Sequence, residues 1–275
     1  MRKSPTILAP LLMIAVTACG GGEERPAASA TPAAAPPAVS VRAQLSAPDP
    51  GTVTVAWTFD LADGWHLYAS LLNDSGYPPS VALTLPDGWR AGPLRWPVPE
   101  RYLMPGDILD HVYHHRLVLL QDLVPPDGVR PEAATVLGAR LRWLACRQEC
   151  VPGQAELSVT IPGRDQALPA AVADLPPFPQ PLPPGLVTAR RSGATVSLEV
   201  AGARGLRFFP DRDSGPFTDL AADGEAAGGL LELRLREVDG RLGPVRGLLQ
   251  VEQADGTRLT GPFAIDDPDT NHPGG

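Results

Sequence analysis

From Val39 onward, apolar and polar residues alternate with a period of two over short runs, a pattern that predicts β-strands. Val53, Val55 and Trp57 alternate with Thr52, Thr54 and Ala56. Val81, Leu83 and Leu85 form the apolar face of another run. Leu141, Trp143 and Ala145 share one face of a third, and Leu157, Val159 and Ile161 share one face of a fourth. Leu117, Val118, Leu119 and Leu120 are continuously apolar, as in a strand buried on both faces. Turn signals separate the runs: Asp63-Gly64, Asp74-Ser75-Gly76, Asp87-Gly88, Pro105-Gly106 and Asp127-Gly128. Short strands punctuated in this way predict an all-β fold, with an immunoglobulin-like β-sandwich over residues 39–163.

Residues 164–185 break the pattern. Pro176-Pro177-Phe178-Pro179-Gln180-Pro181-Leu182-Pro183-Pro184 reads as an extended, semi-rigid linker. A second alternating pattern then predicts a smaller β-domain over residues 186–267. Its runs include Val196-Ser197-Leu198-Glu199-Val200, the stretches 206–209 and 231–235, and the stretches 248–251 and 263–265. A polar tail, 268–275, follows. The 33 prolines and 28 glycines imply many turns and few long helices.

The first nineteen residues read as a lipoprotein signal peptide. Arg2 and Lys3 precede an apolar stretch over 7–16, interrupted by Pro10. That stretch has roughly half the length a bilayer span needs. It runs into Val16-Thr17-Ala18-Cys19, a lipobox in which Cys19 would be lipidated and become the N-terminus. An ordinary signal peptide with an incidental cysteine is the alternative. Gly20 after the cysteine favours the outer membrane. Residues 20–38 contain almost no large apolar side chain and read as a flexible tether. The expected location is the periplasm, with a lipid anchor as the contact with the membrane. The chain carries a net charge of −8, and losing Arg2 and Lys3 with the signal makes the body more acidic still. An acidic body without a basic stripe argues against a nucleic-acid partner.

If Cys19 carries lipid, Cys146 and Cys150 are the pair left in an oxidising compartment. They lie in Trp143-Leu144-Ala145-Cys146-Arg147-Gln148-Glu149-Cys150-Val151-Pro152. Four steps along a continuous strand separate two Cα atoms by roughly 13 Å, whereas a disulfide needs them within about 7 Å. Paired cysteines therefore require a chain reversal or a helical turn. Because both flanks read as strands, the simplest arrangement is a hairpin with Arg147-Gln148-Glu149 at its tip. The residues alone leave two roles open. One is a structural staple, to which a five-residue loop would contribute only about 2 kcal/mol. The other is a bond made and broken by partners. Arg142 and Arg147 are near in sequence, but Glu149 offsets them. A pair attacked by a partner's thiolate thus fits better than a self-activated nucleophile.

No Gly-rich phosphate loop, nucleophile elbow or paired-histidine zinc motif occurs, and no cofactor is expected. His111, His114 and His115, with Met104 and the cysteines, are candidate soft-metal ligands. Their spacing matches no standard site, so they read as exposed histidines on a strand edge and no metal is assigned. Trp65, Trp96 and Trp143 read as packing residues, and Asn73-Asp74-Ser75-Gly76 reads as a turn.

Four stretches in register carry a family likeness. They are Asp63-Gly64-Trp65-His66-Leu67-Tyr68, Asn73-Asp74-Ser75-Gly76-Tyr77-Pro78-Pro79, Leu94-Arg95-Trp96-Pro97-Val98-Pro99-Glu100-Arg101, and the cysteine stretch followed by Ala155-Glu156-Leu157-Ser158-Val159. The segment that holds them resembles the N-terminal periplasmic domain of the thiol:disulfide interchange protein DsbD, especially relatives of the ScsB type. Leu206-Arg207-Phe208-Phe209-Pro210-Asp211 and Gly247-Leu248-Leu249 extend the likeness to the second β-domain of that type. The resemblance implies an immunoglobulin-like sandwich whose redox pair, Cys146 and Cys150, shuttles electrons to periplasmic partners. It also implies a loop capping the pair, which by chain order falls within 102–113, with Tyr102, Leu103 and Met104 as shielding side chains. Full-length relatives continue into a membrane domain and a thioredoxin-like domain. This chain ends without either, so its electrons are expected from a separate thioredoxin-like or thiol-reductase protein. The alternative is a non-catalytic, lipid-anchored interaction module with a structural disulfide.

Overall fold

The computed structural model describes residues 38–46, 52–168 and 172–265. The expectations for the signal peptide, for Cys19, for nearly all of the tether and for the polar tail lie outside these residues. No helix among the described residues is long and apolar enough to cross a membrane.

The period-two runs are strands. The first part of the chain holds β1 (Val39–Ser46), β2 (Val53–Leu61), β3 (His66–Tyr68), β4 (Ser80–Thr84), β5 (Arg90–Arg95), β6 (Glu100–Met104), β7 (Ile108–His114), β8 (Arg116–Val124), β9 (Thr135–Cys146) and β10 (Cys150–Ile161). They form two antiparallel sheets, one ordered β1-β2-β8-β5 and one ordered β10-β9-β3-β7-β6, with β4 also paired to β9. Between the sheets lies a core that includes Val55, Trp57, Phe59, Leu119, Leu141 and Trp143. This is the all-β, immunoglobulin-like sandwich expected from the alternation.

The second part holds β11 (Thr188–Ser192), β12 (Thr195–Glu199), β13 (Gly205–Pro210), a short helix α1 (Leu220–Asp223), β14 (Glu225–Ala227), β15 (Leu230–Arg234), β16 (Val245–Glu252) and β17 (Arg258–Ile265). Two further sheets, β11-β12-β15 and β14-β13-β16-β17, enclose a separate apolar cluster around Val196, Leu198, Phe208, Leu233 and Leu249. The Asp219 side chain accepts from the Ala222 N–H at 2.9 Å and caps α1.

Three local expectations need correction. First, β2 is buried on both faces, although its alternation predicts Thr54 and Ala56 on an outer face. That second face is covered by Val172 and Phe178, which pack against Ala56, Val118 and Leu120. The proline-rich segment is therefore a docked strap. The Val98 N–H donates to the Pro177 carbonyl at 2.8 Å, and the Gln180 N–H to the Thr260 carbonyl at 2.8 Å. Second, residues 102–113 are mostly not a loop. They form the β6–β7 hairpin, turned at Pro105-Gly106-Asp107, where Gly106 has φ +90° and Asp107 φ +59°. Third, His111 is not an exposed edge residue. It is fully buried, its Nδ1 lies 2.7 Å from the Leu72 carbonyl oxygen, and its ring meets Phe209 edge-on.

Candidate functional site

Cys146 is the last residue of β9 and Cys150 the first of β10. They are cross-strand partners with Cα atoms 4.1 Å apart, joined by a disulfide. The Arg147 N–H donates to the Glu149 carbonyl at 3.0 Å and closes the tip, so of the chain reversal and the helical turn that the spacing allowed, the protein has the hairpin. Arg147 turns back over Trp65, its guanidinium carbon 5.3 Å from the ring centroid, which anchors the tip. The two sulfur-bearing residues differ in access. Cys146 is 4% exposed, whereas Cys150 is exposed. The cause is topological. β9 is an interior strand flanked by β10 on one side and by β4 and His66 on the other, whereas β10 is an edge strand.

β3 sits in the middle of this sheet, and His66 is the cross-strand partner of both Cys146 and His114. Tyr68, two residues on, lies on the same face. Its hydroxyl is 4.0 Å from the Cys150 sulfur and 3.3 Å from the Ser75 hydroxyl. Ser75 donates through its hydroxyl (2.6 Å) and its N–H (3.0 Å) to the buried Asp110 carboxylate. A chain of polar contacts thus runs from Asp110 through Ser75 and Tyr68 to the exposed cysteine. Gly76 lies against the face of the Tyr68 ring, and a Cβ there would overlap the ring, so only glycine allows the approach.

The segment 73–75 is more than a turn. The Asn73 side chain accepts from the His111 N–H at 2.7 Å, and Asp74 accepts from the Leu109 N–H at 2.7 Å. With Ser75 on Asp110, three consecutive side chains bind β7. This is how polar residues of β7 are satisfied inside the fold.

Of the residues expected to shield the pair, Tyr102 packs against the cluster of Tyr68, Val112 and Cys146. Its ring centroid lies 5.2 Å from that of His66 and 5.6 Å from that of His114. Leu103 is 56% exposed and Met104 half-buried. Trp143 is buried in the core, edge-on to Phe59 at 5.7 Å, while Trp65 and Trp96 are half-buried against the same core. The His114 Nδ1 lies 3.4 Å from a carboxylate oxygen of Glu100. Among the described residues, no group of His, Cys, Asp and Glu is arranged to hold a metal.

The electrostatics follow burial. Desolvation lowers the His66 pKa below its ordinary value, the His114 charge adds to this, and Asp110 opposes both. Desolvation likewise raises the Tyr68 phenol, with the Ser75 hydrogen bond opposing it. Sequence reasoning missed His66, Ser75 and Asp110. The available signal was the His66-Leu67-Tyr68 alternation, which puts both polar rings on one face.

Residues 33–162 match the family described as "Thiol:disulfide interchange protein DsbD, N-terminal". No curated protein matches the chain. Among solved structures, the N-terminal periplasmic domain of ScsB from Proteus mirabilis is similar at 18% identity and a TM-score of 0.56, covering 83% of this chain and 94% of that one. The DsbD N-terminal domain of Neisseria meningitidis in the reduced form is similar at 19% identity and a TM-score of 0.32, covering 46% and 87%.

Proposed function

We propose that this protein exchanges thiols and disulfides with partner proteins through Cys146 and Cys150, a reading supported by the match of residues 33–162 to the DsbD N-terminal family and by the fold shared with the ScsB domain. The observation that carries the reading is the unequal access of the two cysteines: Cys150 is exposed and Cys146 is 4% exposed. A partner thiolate attacks the Cys150 sulfur, forms a mixed disulfide there, and expels Cys146 as the leaving thiolate. In the reverse direction, Cys146 attacks Cys150 and releases the partner. Tyr102 screens the buried sulfur, and Arg147 on Trp65 holds the tip in place for docking. A periplasmic location, like that of the ScsB domain of the same fold, and partners of the thioredoxin-like or thiol-reductase kind belong to this reading. Anchoring through lipid on Cys19, in the outer membrane, is part of the same proposal.

The deciding experiment is the reduction potential of the pair, measured by equilibrating the soluble body in defined thiol buffers and counting alkylated cysteines by mass. The expected value lies between about −180 and −270 mV, the range of exchange catalysts. A value below about −300 mV is that of a structural bond and would refute the reading.

A further inference from the structure

We propose that the His66 imidazole exchanges a proton with the Cys146 sulfur each time the disulfide opens or closes, serving as the base for the thiol that resolves a mixed disulfide. This deepens the exchange reading and rests on it.

The placement is specific. His66 is the cross-strand neighbour of Cys146, and directly opposed residues of an antiparallel pair present their side chains on one face about 5 Å apart. His66 is 3% exposed, yet its Nε2 makes no hydrogen bond within the protein. A buried ring nitrogen left unpaired is costly, because it has lost water and gained no partner. In the disulfide form Cys146 has no proton to offer it. In the dithiol form the Cys146 S–H supplies the missing partner, so the unpaired nitrogen is fitted to the other redox state.

The other polar groups around this face are engaged elsewhere. On β7, Asp110 accepts two hydrogen bonds from Ser75, and the His114 Nδ1 lies beside Glu100 of β6. On β3, the Tyr68 hydroxyl lies beside Cys150 and Ser75, and its phenol is raised by burial. Tyr102 of β6 meets the rings of His66 and His114. In the tip, Arg147 covers Trp65, and Glu149 is exposed. His66 is the base that faces Cys146. Desolvation and the neighbouring His114 favour its neutral form, with Asp110 opposing them.

The step balances. In the mixed disulfide, the Cys146 S–H proton passes to His66 and the Cys146–Cys150 bond forms. The bond between Cys150 and the partner sulfur breaks, and its electron pair leaves on the partner as thiolate. The imidazolium then gives up its proton to solvent. Beside it, His114, whose ring centroid is 5.7 Å away, lines an open cleft of about 560 Å³ on the side toward which the proton leaves. Reduction of the disulfide runs the same steps backward.

The test uses the soluble body, reduced with dithiothreitol and mixed with the chromogenic disulfide of thionitrobenzoate. Cys150 releases one thionitrobenzoate on attack, and Cys146 releases the second on resolution. His66→Phe is expected to leave the first release unchanged and to slow the second at least about tenfold near neutral pH. The slowed phase should then climb with pH until ordinary thiol ionisation near about 8.5 is passed. An unchanged second phase, or equal slowing of both, would overturn the proposal. His66→Gln decides the matter by the same split if the phenylalanine variant does not fold. Neither release involves a protein partner. The outcome is therefore distinguishable from that of the reduction potential: a structural-bond potential refutes the relay, whereas an unchanged second release refutes only the role of His66.

Discussion

Burial keeps the His111 imidazole neutral in the folded protein. Its pKa falls from 6.5 to about 4, chiefly through desolvation, with the Leu72 carbonyl opposing that shift. The unfolded chain takes up a proton as pH drops through about 6.5, while the folded chain does not until about 4. Stability from this residue is thus intact above the unfolded value and lost on acidification between the two. The loss amounts to as much as about 3 kcal/mol. Urea unfolding at several pH values should show this slope in the wild type and a shallower one in His111→Gln; equal slopes would mean that other groups carry the acid sensitivity. The contrast with the cysteines shows what a sequence discloses. Cys146 and Cys150 could be placed because a covalent bond has a reach that the chain must meet. His111 could not, because the groups that bury it, Leu72 and Phe209, come from remote segments and leave no local periodic signal.

At the scale of elements, the β9–β10 hairpin is held by its register as much as by its bond. Paired residues run from Cys150 opposite Cys146 to Ile161 opposite Thr135. The double variant Cys146→Ser/Cys150→Ser should therefore stay folded and lose no more than about 2 kcal/mol, the value of so short a loop. Chemical denaturation reads this directly, and a loss above about 4 kcal/mol would make the bond a staple. The hairpin was legible because apolar alternation flanks the cysteines. The β6–β7 hairpin was not, because the family resemblance put a capping loop there, and the buried Asp110 and His111 are satisfied by Ser75, Asn73 and Leu72 from another segment. β2 misled in the opposite way. Its Thr54 and Ala56 suggest an outer face, but Ala56 is covered by the docked strap at Val172 and Phe178, and the Thr54 hydroxyl donates to Asp122 at 2.6 Å.

For the whole molecule, the two apolar clusters are joined rather than merely adjacent. Phe209 of β13 is buried within the first cluster, against His111. The Leu72 N–H donates to the Pro210 carbonyl at 2.9 Å, and Arg101 donates to the Leu220 and Ala221 carbonyls of α1. All five tryptophans lie in the first part, so their fluorescence reports on that cluster alone. Phe209→Ala, made in the second part, should nevertheless lower the fluorescence-detected stability by about 3–5 kcal/mol. An unchanged midpoint would show that the clusters unfold independently. The strap adds a mechanical consequence. It carries the chain from one part to the other and is itself bonded to both, at Val98 and at Thr260. Tension applied at Cys150 by a departing partner would then be shared with the second part and its fastenings. A single lost contact between the halves would leave the others to bear it, much as a riveted plate outlasts one rivet.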